Sequence, residues 1–153
     1  MIRRDPVTCA TDQIVRYRGR ISGPLTDRID MHVEVPRLAP EELSGPPDPK
    51  VETSTRIRGR VKRARDLQLQ RAGKPNHALT SREVERNCPL DASGRRLMEQ
   101  AMTRLGLSAR AYHRVRKVAR TIADLAGDEV IRVPHLSEAI GYRRFDRHEV
   151  KGF

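Results

Sequence analysis

The sequence predicts a mainly α-helical protein: a small helical bundle preceded by a stub that carries one β-strand. Hydrophobic residues make up 37% of the 153 residues, aromatic residues make up only 3%, and there is no Trp. Small and branched apolar side chains suit a modest helical core better than a large sheet. Helix-capping residues and glycine stops recur after residue 50, whereas before it one short segment alternates in the manner of a strand.

The stub comprises residues 1–36. Residues 31–35 alternate between apolar and polar side chains, which predicts a half-buried or edge strand that Pro36 ends. One strand without a partner leaves its backbone N–H and C=O groups unpaired, so we do not expect the stub to form a sheet by itself. Five of the fifteen residues from 36 to 50 are proline, which predicts an extended, semi-rigid linker over residues 37–50.

Helices are predicted throughout residues 51–145, the helical domain, and residues 146–153 are assigned to a tail. Predicted helix starts have a side chain that caps backbone N–H groups or a proline in the first turn, and most predicted ends precede a glycine. Thr80 and Glu83 have the spacing of a capping box. The predicted helices run from Thr53 or Ser54 to about Ala72, from Thr80 to about Asn87, from Asp91 to Gly106, from Ser108 to about Ala126, and from Pro134 through Ile140.

Apolar side chains at helical spacing predict which face of each helix is buried. On the first helix the predicted stripe is Ile57, Val61 and Ala64, and the remaining surface is strongly basic. On the third predicted helix the stripe consists of Leu97, Met98, Ala101, Met102 and Leu105. On the fourth, which has the longest clean pattern, it consists of Tyr112, Val115, Val118, Ala119, Ile122, Ala123 and Ala126.

The net charge of +11 lies entirely in the second part of the chain. Residues 1–50 carry 8 Lys/Arg and 8 Asp/Glu, whereas residues 51–153 carry 23 Lys/Arg and 12 Asp/Glu. A confined basic excess indicates contact with an anion, either a polyphosphate or a nucleic acid, and a solvated Arg-rich surface is the alternative. No apolar run approaches the ~18 residues of a membrane span, and the N-terminus lacks the apolar segment of a signal peptide, so we expect a cytoplasmic protein with no membrane partner.

The sequence predicts no metal site and no self-contained catalytic site. Cys9 and Cys88 lie far apart and form neither a disulfide framework nor a metal site on their own. The five histidines are scattered, and none has a recognisable ligand or general-base spacing.

Two arginines are candidates for contact with phosphate. Arg110 lies in the first turn of a helix capped by Ser108, where the helix dipole disfavours a cation, and a residue that departs from a local rule is a candidate functional residue. A cation beside the free N–H groups of a helix N-terminus suits a phosphate, although an exposed Arg in a basic helix is the simpler interpretation. Arg28 lies between Asp27 and Asp30, which could simply pair with it at the surface.

Several stretches together resemble the C-terminal part of the ComM/YifB family of magnesium-chelatase-like AAA+ ATPases. The resemblance covers nearly the whole chain, and its runs S-A-R-A-Y-H-R and A-R-T-I-A-D-L are specific. The stretches are 17-YRGRISGPLTDRIDMHVEVP-36, 79-LTSREVERNCPLD-91, 96-RLMEQAMTRLGLSARAYHRVRKVARTIADLAG-127 and 130-VIRVPHLSEAIGYR-143.

The resemblance implies a fold and a set of roles. The helical domain would be the lid that closes over ATP bound to an α/β core, and the strand in residues 1–36 would be a remnant of that core. Arg110 matches the sensor 2 arginine, which touches the γ-phosphate, and Arg28 resembles the arginine finger, which reaches the nucleotide of the next subunit. The partners implied are the α/β core of the same protein, a homo-oligomeric ring expected to be a hexamer, and DNA, on which the family acts as branch-migration helicases. The cofactors implied for the complete protein are ATP and Mg²⁺.

The chain departs from the family pattern because it has no G-x-x-x-x-G-K-[ST] P-loop and no strand ending in acidic Mg²⁺ ligands. We therefore expect a C-terminal fragment that binds no cofactor tightly and is inactive as an ATPase by itself. The alternative function is a stand-alone basic helical protein that binds DNA. For either function, Arg58, Lys62 and Arg65 on the first helix are the candidate DNA contacts.

Overall fold

The structure is a computed structural model that describes Leu25, residues 27–37 and residues 51–143. Five α-helices and a single 3₁₀ turn make up the described part of the helical domain. They are α1 (Ser54–Ala72), the 3₁₀ turn (Asn76–Ala78), α2 (Ser81–Asn87), α3 (Ala92–Leu105), α4 (Ala109–Ala126) and α5 (Val133–Gly141). This confirms the prediction of a mainly α-helical bundle.

Local capping chemistry decides where these helices begin. At α4 the Ser108 hydroxyl accepts a hydrogen bond from the Ala111 backbone N–H at 3.1 Å. At α2 the predicted capping box is present, since Glu83 accepts from the Thr80 backbone N–H at 2.8 Å. The hydrogen bond from Lys74, whose Nζ lies 2.8 Å away, lowers the pKa of Glu83 to about 2, and hydrogen bonds from Thr80 add to this effect. Each cap satisfies N–H groups that have no partner inside the helix.

Glycine ends three of the helices. Gly73, Gly106 and Gly127 follow α1, α3 and α4 with φ values of 68°, 64° and 80°. A side chain would be strained at these angles, and glycine is not, so the chain leaves each helix there. The helix ends predicted from the sequence therefore agree with the structure to within about one residue.

The core is organised around α4, which packs against α1, α2, α5 and the 3₁₀ turn, while α3 packs against α5. Every helix contributes apolar side chains that are almost fully buried, but α1 contributes only Ala64. Among the apolar side chains that are less than 2% exposed, the largest are Met98, Leu136, Val84, Val115 and Cys88. Burial raises the pKa of the Cys88 thiol to about 11.

The predicted buried stripe of α1 is wrong for two of its three members. Ile57 is 41% exposed and Val61 is 53% exposed, whereas Ala64 is buried. No residue in the first two turns of this helix is buried, and its buried residues, Ala64 and Gln68, both lie in its second half. The apolar spacing is real, but at about 28 Å the helix is too long for the small bundle to cover it completely.

The predicted face of α4 is only partly correct. Val115, Ala119 and Ala123 are buried, and Tyr112, Val118 and Ile122 pack against the core, but Ala126 is exposed. Three charged residues that the apolar pattern left outside, namely Arg116, Arg120 and Asp124, are buried instead.

The predicted strand is not present as a strand in the described residues. Residues 31–37 belong to no β-ladder, and the backbone N–H of His32 donates to the Tyr142 carbonyl at 2.9 Å. The side chains of Met31, Val33 and Val35 are exposed. A β-ladder needs a second strand, and none lies beside this segment in the described part of the chain. Of the helices that the structure describes, none has the length and apolar character needed to cross a membrane.

Candidate functional site

A groove of about 500 Å³ opens at the N-terminal end of α4. Four of its lining side chains come from one face of this helix, namely Arg110, His113, Arg114 and Lys117. They share that face because they are three or four residues apart. The remaining lining residues are Ala109 of α4, His77, residues 79–81 at the start of α2, and Asp30. The groove therefore has three permanently positive side chains and one carboxylate.

Arg110 lies where the sequence predicted, in the first turn of α4, and its side chain is exposed. Among the residues that the structure describes, none forms a hydrogen bond or an ion pair with its guanidinium. The first turn of α4 contains no acidic residue, so no carboxylate within it offsets the positive end of the helix dipole. The groove is thus electropositive on this side and presents a guanidinium with all its donors available.

Arg28 lies in a turn closed by a hydrogen bond of 3.0 Å from its own N–H to the carbonyl of Leu25. Its side chain is exposed, and it is not one of the described residues that line the groove. The neighbouring aspartates do not pair with it. Asp30 forms an ion pair with Arg114 of α4, and Asp27 lies 3.7 Å from Arg143. The simple surface pairing that the sequence left open for Arg28 is therefore not found.

A frame of buried charged residues on α4, namely Arg116, Arg120 and Asp124, connects this helix to the segments around it. Arg120 donates to Asp124 at 3.1 Å and to the carbonyls of Asp128 and Glu129, the latter at 2.7 Å. Asp124, with a fully buried side chain, also accepts from Arg71 of α1 and from the Asn76 amide at 2.8 Å. Burial lowers the pKa of Arg120, while the adjacent Asp124 opposes that shift. One carboxylate thus joins α1, the 3₁₀ turn and α4.

A second buried arginine, Arg116, joins α4 to the end of α2. It donates to the Cys88 carbonyl at 3.1 and 2.8 Å and to Glu85, and its guanidinium lies 5.4 Å from the centre of the Tyr112 ring. The carbonyls at a helix C-terminus lack partners within the helix, so these bonds satisfy groups that would otherwise be buried unpaired. The only sequence signal for the frame was the four-residue spacing from Arg116 to Arg120 to Asp124, which reasoning from apolar residues missed.

The candidate DNA contacts Arg58, Lys62 and Arg65 lie on one exposed face of α1. They are separate from the groove, since none of them lines it. Among the described residues, no group of three or more His, Cys, Asp or Glu side chains is arranged to hold a metal ion.

Comparison with known protein families accounts for both parts of the chain. The sequence model described as magnesium chelatase, subunit ChlI C-terminal, matches residues 51–143, well over half of the chain. The chain belongs to this magnesium chelatase family. The model described as magnesium chelatase, subunit ChlI, matches residues 2–43. Residues 51–143, which contain the five described helices, therefore match the C-terminal region of this family.

Curated relatives of this magnesium chelatase region are bacterial. The chain is 49% identical over 135 residues to the competence protein ComM of Haemophilus influenzae, an alignment that covers 88% of the chain and 26% of the relative. It is 41% identical over 139 residues to the uncharacterized protein YifB of Escherichia coli, covering 91% of the chain and 27% of the relative. The chain thus spans about a quarter of the length of the curated relatives it matches, and its family resemblance is confirmed.

Proposed function

We propose that this region is the lid of a cytoplasmic AAA+ ATPase and that Arg110 contacts the γ-phosphate of ATP. The observation that carries the proposal is the exposed, unpaired guanidinium of Arg110 at the positive end of α4, inside an electropositive groove. Free N–H groups at a helix start and a guanidinium with open donors both favour a phosphate oxygen. Membership of the ChlI family supports the same assignment.

The chain's own residues can bind and orient a polyphosphate but cannot complete the site. Arg110 and Lys117 supply the uncompensated positive charge of the groove, because Asp30 forms an ion pair with Arg114. The 153 residues contain no P-loop, so the β-phosphate and Mg²⁺ would be held by a preceding α/β domain. With ATP and Mg²⁺ bound, the reaction supplied is phosphoryl transfer to water, and a guanidinium assists it by stabilising charge on the transferring group.

We further propose that Arg28 acts as an arginine finger toward the neighbouring subunit of a homo-oligomeric ring, with six subunits as the expected number. Its guanidinium is exposed, and the two aspartates beside it are engaged by arginines of the helical domain. It is therefore available to a group outside its own subunit. An arginine supplied across an interface in this way is a recurrent device of nucleotide hydrolysis.

Arg110→Ala is expected to lower the ATP turnover number about 100-fold, because a donor to charge developing on the phosphoryl group is lost. The assay needs a P-loop, so it uses the longer protein in which this region follows its α/β domain. Steady-state phosphate release measures turnover, and the thermal midpoint should change little because Arg110 is exposed.

Arg96→Ala is the matched control, since Arg96 is an exposed arginine on α3 outside the groove. Equal turnover of Arg110→Ala and Arg96→Ala would contradict the role of Arg110. Genomic sequence with a stop codon and no P-loop directly upstream of Met1 would contradict the whole ATPase proposal.

A second candidate function is sequence-independent DNA binding through the exposed basic face of α1, in the complete protein or in this region alone. Arg58, Lys62 and Arg65 are four and three residues apart on a helix whose first half stands clear of the bundle. Cationic side chains along a helix bind the phosphate backbone by releasing its counterions. Aromatic side chains make up only 3% of the sequence, so base stacking is expected to contribute little.

Replacing Arg58, Lys62 and Arg65 together by alanine is expected to weaken duplex DNA binding at every sequence tested. Loss of three phosphate contacts should reduce the slope of log K against log salt by about 3. Fluorescence anisotropy over a range of salt concentrations measures both quantities.

The matched control replaces Arg56, Arg60 and Arg63, which have the same spacing on the other side of α1 and remove the same charge. An equal loss of affinity in both triple variants would mean that binding depends on total charge and would reject the named face. Absence of binding by the unaltered chain at low salt would reject the function.

A further inference from the structure

We propose that Arg114 and Asp30 form a positioning pair that holds the Arg28 segment against α4, the helix that carries Arg110. The inference rests on the proposed function and goes beyond it. It assigns a role to two residues that touch neither the phosphate at Arg110 nor the phosphate at Arg28. Arg114 would act through Asp30 on the placement of Arg28. The pair would rigidly connect the contact that Arg110 makes with one nucleotide to the contact that Arg28 makes with the next nucleotide.

The first observation is the pair itself. Arg114 Nη1 donates to Asp30 Oδ1, and the side chains are 26% and 46% exposed, so water competes only partly for the bond. The two residues are 84 positions apart in the chain, and their contact therefore joins the stub to the helical domain. Both residues line the groove that contains Arg110.

The second observation is an independent anchor on the same segment. Arg143, which follows α5 and has a fully buried side chain, donates to the Ile29 carbonyl and lies 3.7 Å from Asp27. The backbone N–H of His32 donates to the Tyr142 carbonyl at 2.9 Å. Residues on both sides of Arg28 are thus attached to the helical domain while Arg28 itself is exposed.

The arrangement has an electrostatic consequence for Arg28. An aspartate two residues away could attract its guanidinium and fold it back on its own segment. Arg114 engages Asp30, and Arg143 lies beside Asp27, so neither neighbouring carboxylate is paired with Arg28. The guanidinium of Arg28 keeps its donors available for a partner from outside.

The arrangement also has a mechanical consequence for the two nucleotide contacts. Arg110 and Arg114 are one helical turn apart, about 6 Å along α4. A movement of α4 when Arg110 engages a phosphate would carry Arg114, and with it Asp30 and the Arg28 turn. Occupancy of one site would thereby adjust the arginine offered to the next site of a ring.

The test measures ATP turnover of the longer protein, without DNA, for Arg114→Glu, Asp30→Arg and the double variant that exchanges the two charges. Each single variant is expected to lower kcat about tenfold, because small misplacement of an active-site group is costly, with KM for ATP changed less than about twofold. The double variant is expected to recover kcat to within about threefold of the unaltered protein, because the pair is restored in reverse.

The control is the exchange of Arg60 and Glu52, an ion pair of 3.1 Å whose side chains are 47% and 38% exposed and which lies outside the groove. Its single and double variants should retain full turnover. Unchanged kcat in Arg114→Glu would overturn the inference. A raised KM without recovery in the double variant would also overturn it, since Arg114 would then contact the nucleotide directly.

Failure of the inference can be told apart from failure of the proposed function by Arg28→Ala. If that variant keeps full turnover, the finger assignment is wrong and the positioning pair falls with it. If Arg28→Ala is inactive while Arg114→Glu matches the control, the proposed function stands and only the positioning pair is rejected.

Discussion

Substitution of Arg28 by alanine is expected to lower ATP turnover about 1,000-fold, the largest effect of any single change in this region. The reason is that the guanidinium would stabilise charge on the phosphoryl group at a neighbouring subunit, the role proposed for an arginine finger. Because Arg28 is exposed, the thermal midpoint of the variant should stay near that of the unaltered protein. Phosphate release by the assembled longer protein is the measurement.

A mixing experiment tests whether the effect crosses the subunit interface. Subunits with Arg28→Ala retain Arg110, and subunits with Arg110→Ala retain Arg28. In a head-to-tail ring formed from both variants, roughly a quarter of the sites would have an intact Arg110 from one subunit and an intact Arg28 from its neighbour. Recovery of turnover on mixing two nearly inactive variants is the expected result. No recovery, with mixed rings demonstrated by pull-down of one tagged variant, would refute action between subunits.

Asp124→Ala is expected to destabilise the helical bundle by about 3–5 kcal/mol, the usual cost of removing one partner of a buried ion pair. The Asp124 side chain is fully buried, and its loss would leave Arg120, which is 2% exposed, without its carboxylate. The bonds from Arg71 and Asn76 would be lost as well. Urea unfolding of the 153-residue chain, followed by circular dichroism, measures the change.

Asp66→Ala is the matched control, because it removes an exposed aspartate from α1 and brings the same gain in helix propensity. It is expected to change the free energy of unfolding by less than about 0.5 kcal/mol. Asp124→Asn keeps an oxygen acceptor but not the charge. Its free energy of unfolding should lie between those of Asp124→Ala and Asp66→Ala. Equal stabilities of Asp124→Ala and Asp66→Ala would show that the buried network contributes nothing net.

Local chemistry explains why the helices were predictable. The starts of α2, α3 and α4 depend on a side chain that accepts a hydrogen bond from a backbone N–H three residues later. The ends of α1, α3 and α4 depend on a glycine that adopts a positive φ. Both effects operate within one turn of the chain, so the amino-acid order carries them without knowledge of the fold.

Burial was less predictable because it depends on what the rest of the chain can cover. Ile57 and Val61 have the spacing of a buried stripe but lie on the half of α1 that the bundle does not reach. Arg116 and Arg120 interrupt an apolar helix face, yet they are buried because the Cys88 carbonyl accepts from Arg116 and the Glu129 carbonyl accepts from Arg120. A pattern based on hydrophobicity alone predicts that the two apolar residues are buried and that the two arginines are exposed, and both predictions are wrong.

The sequence singled out two candidate arginines, but it did not predict the groove that contains Arg110. Arg110 departs from the helix-dipole preference and lies in the L-S-A-R-A run, and Arg28 lies in the L-T-D-R-I-D run. The pairing of Asp30 with Arg114 rather than with Arg28 could not be read from the sequence, because the nearest carboxylates in the chain were the more obvious partners.

By itself, the sequence determined the helical class, the helix boundaries, the family and the identity of the two candidate arginines, because caps, glycine stops and motif runs are properties of neighbouring residues. Only the tertiary structure decided which half of α1 is covered, which charged residues form the buried frame, and that the aspartates flanking Arg28 are engaged by α4 and by Arg143. These features join positions as far as 114 residues apart. Their energies depend on distance in space and on exclusion of water, and neither is written in the order of residues along the chain.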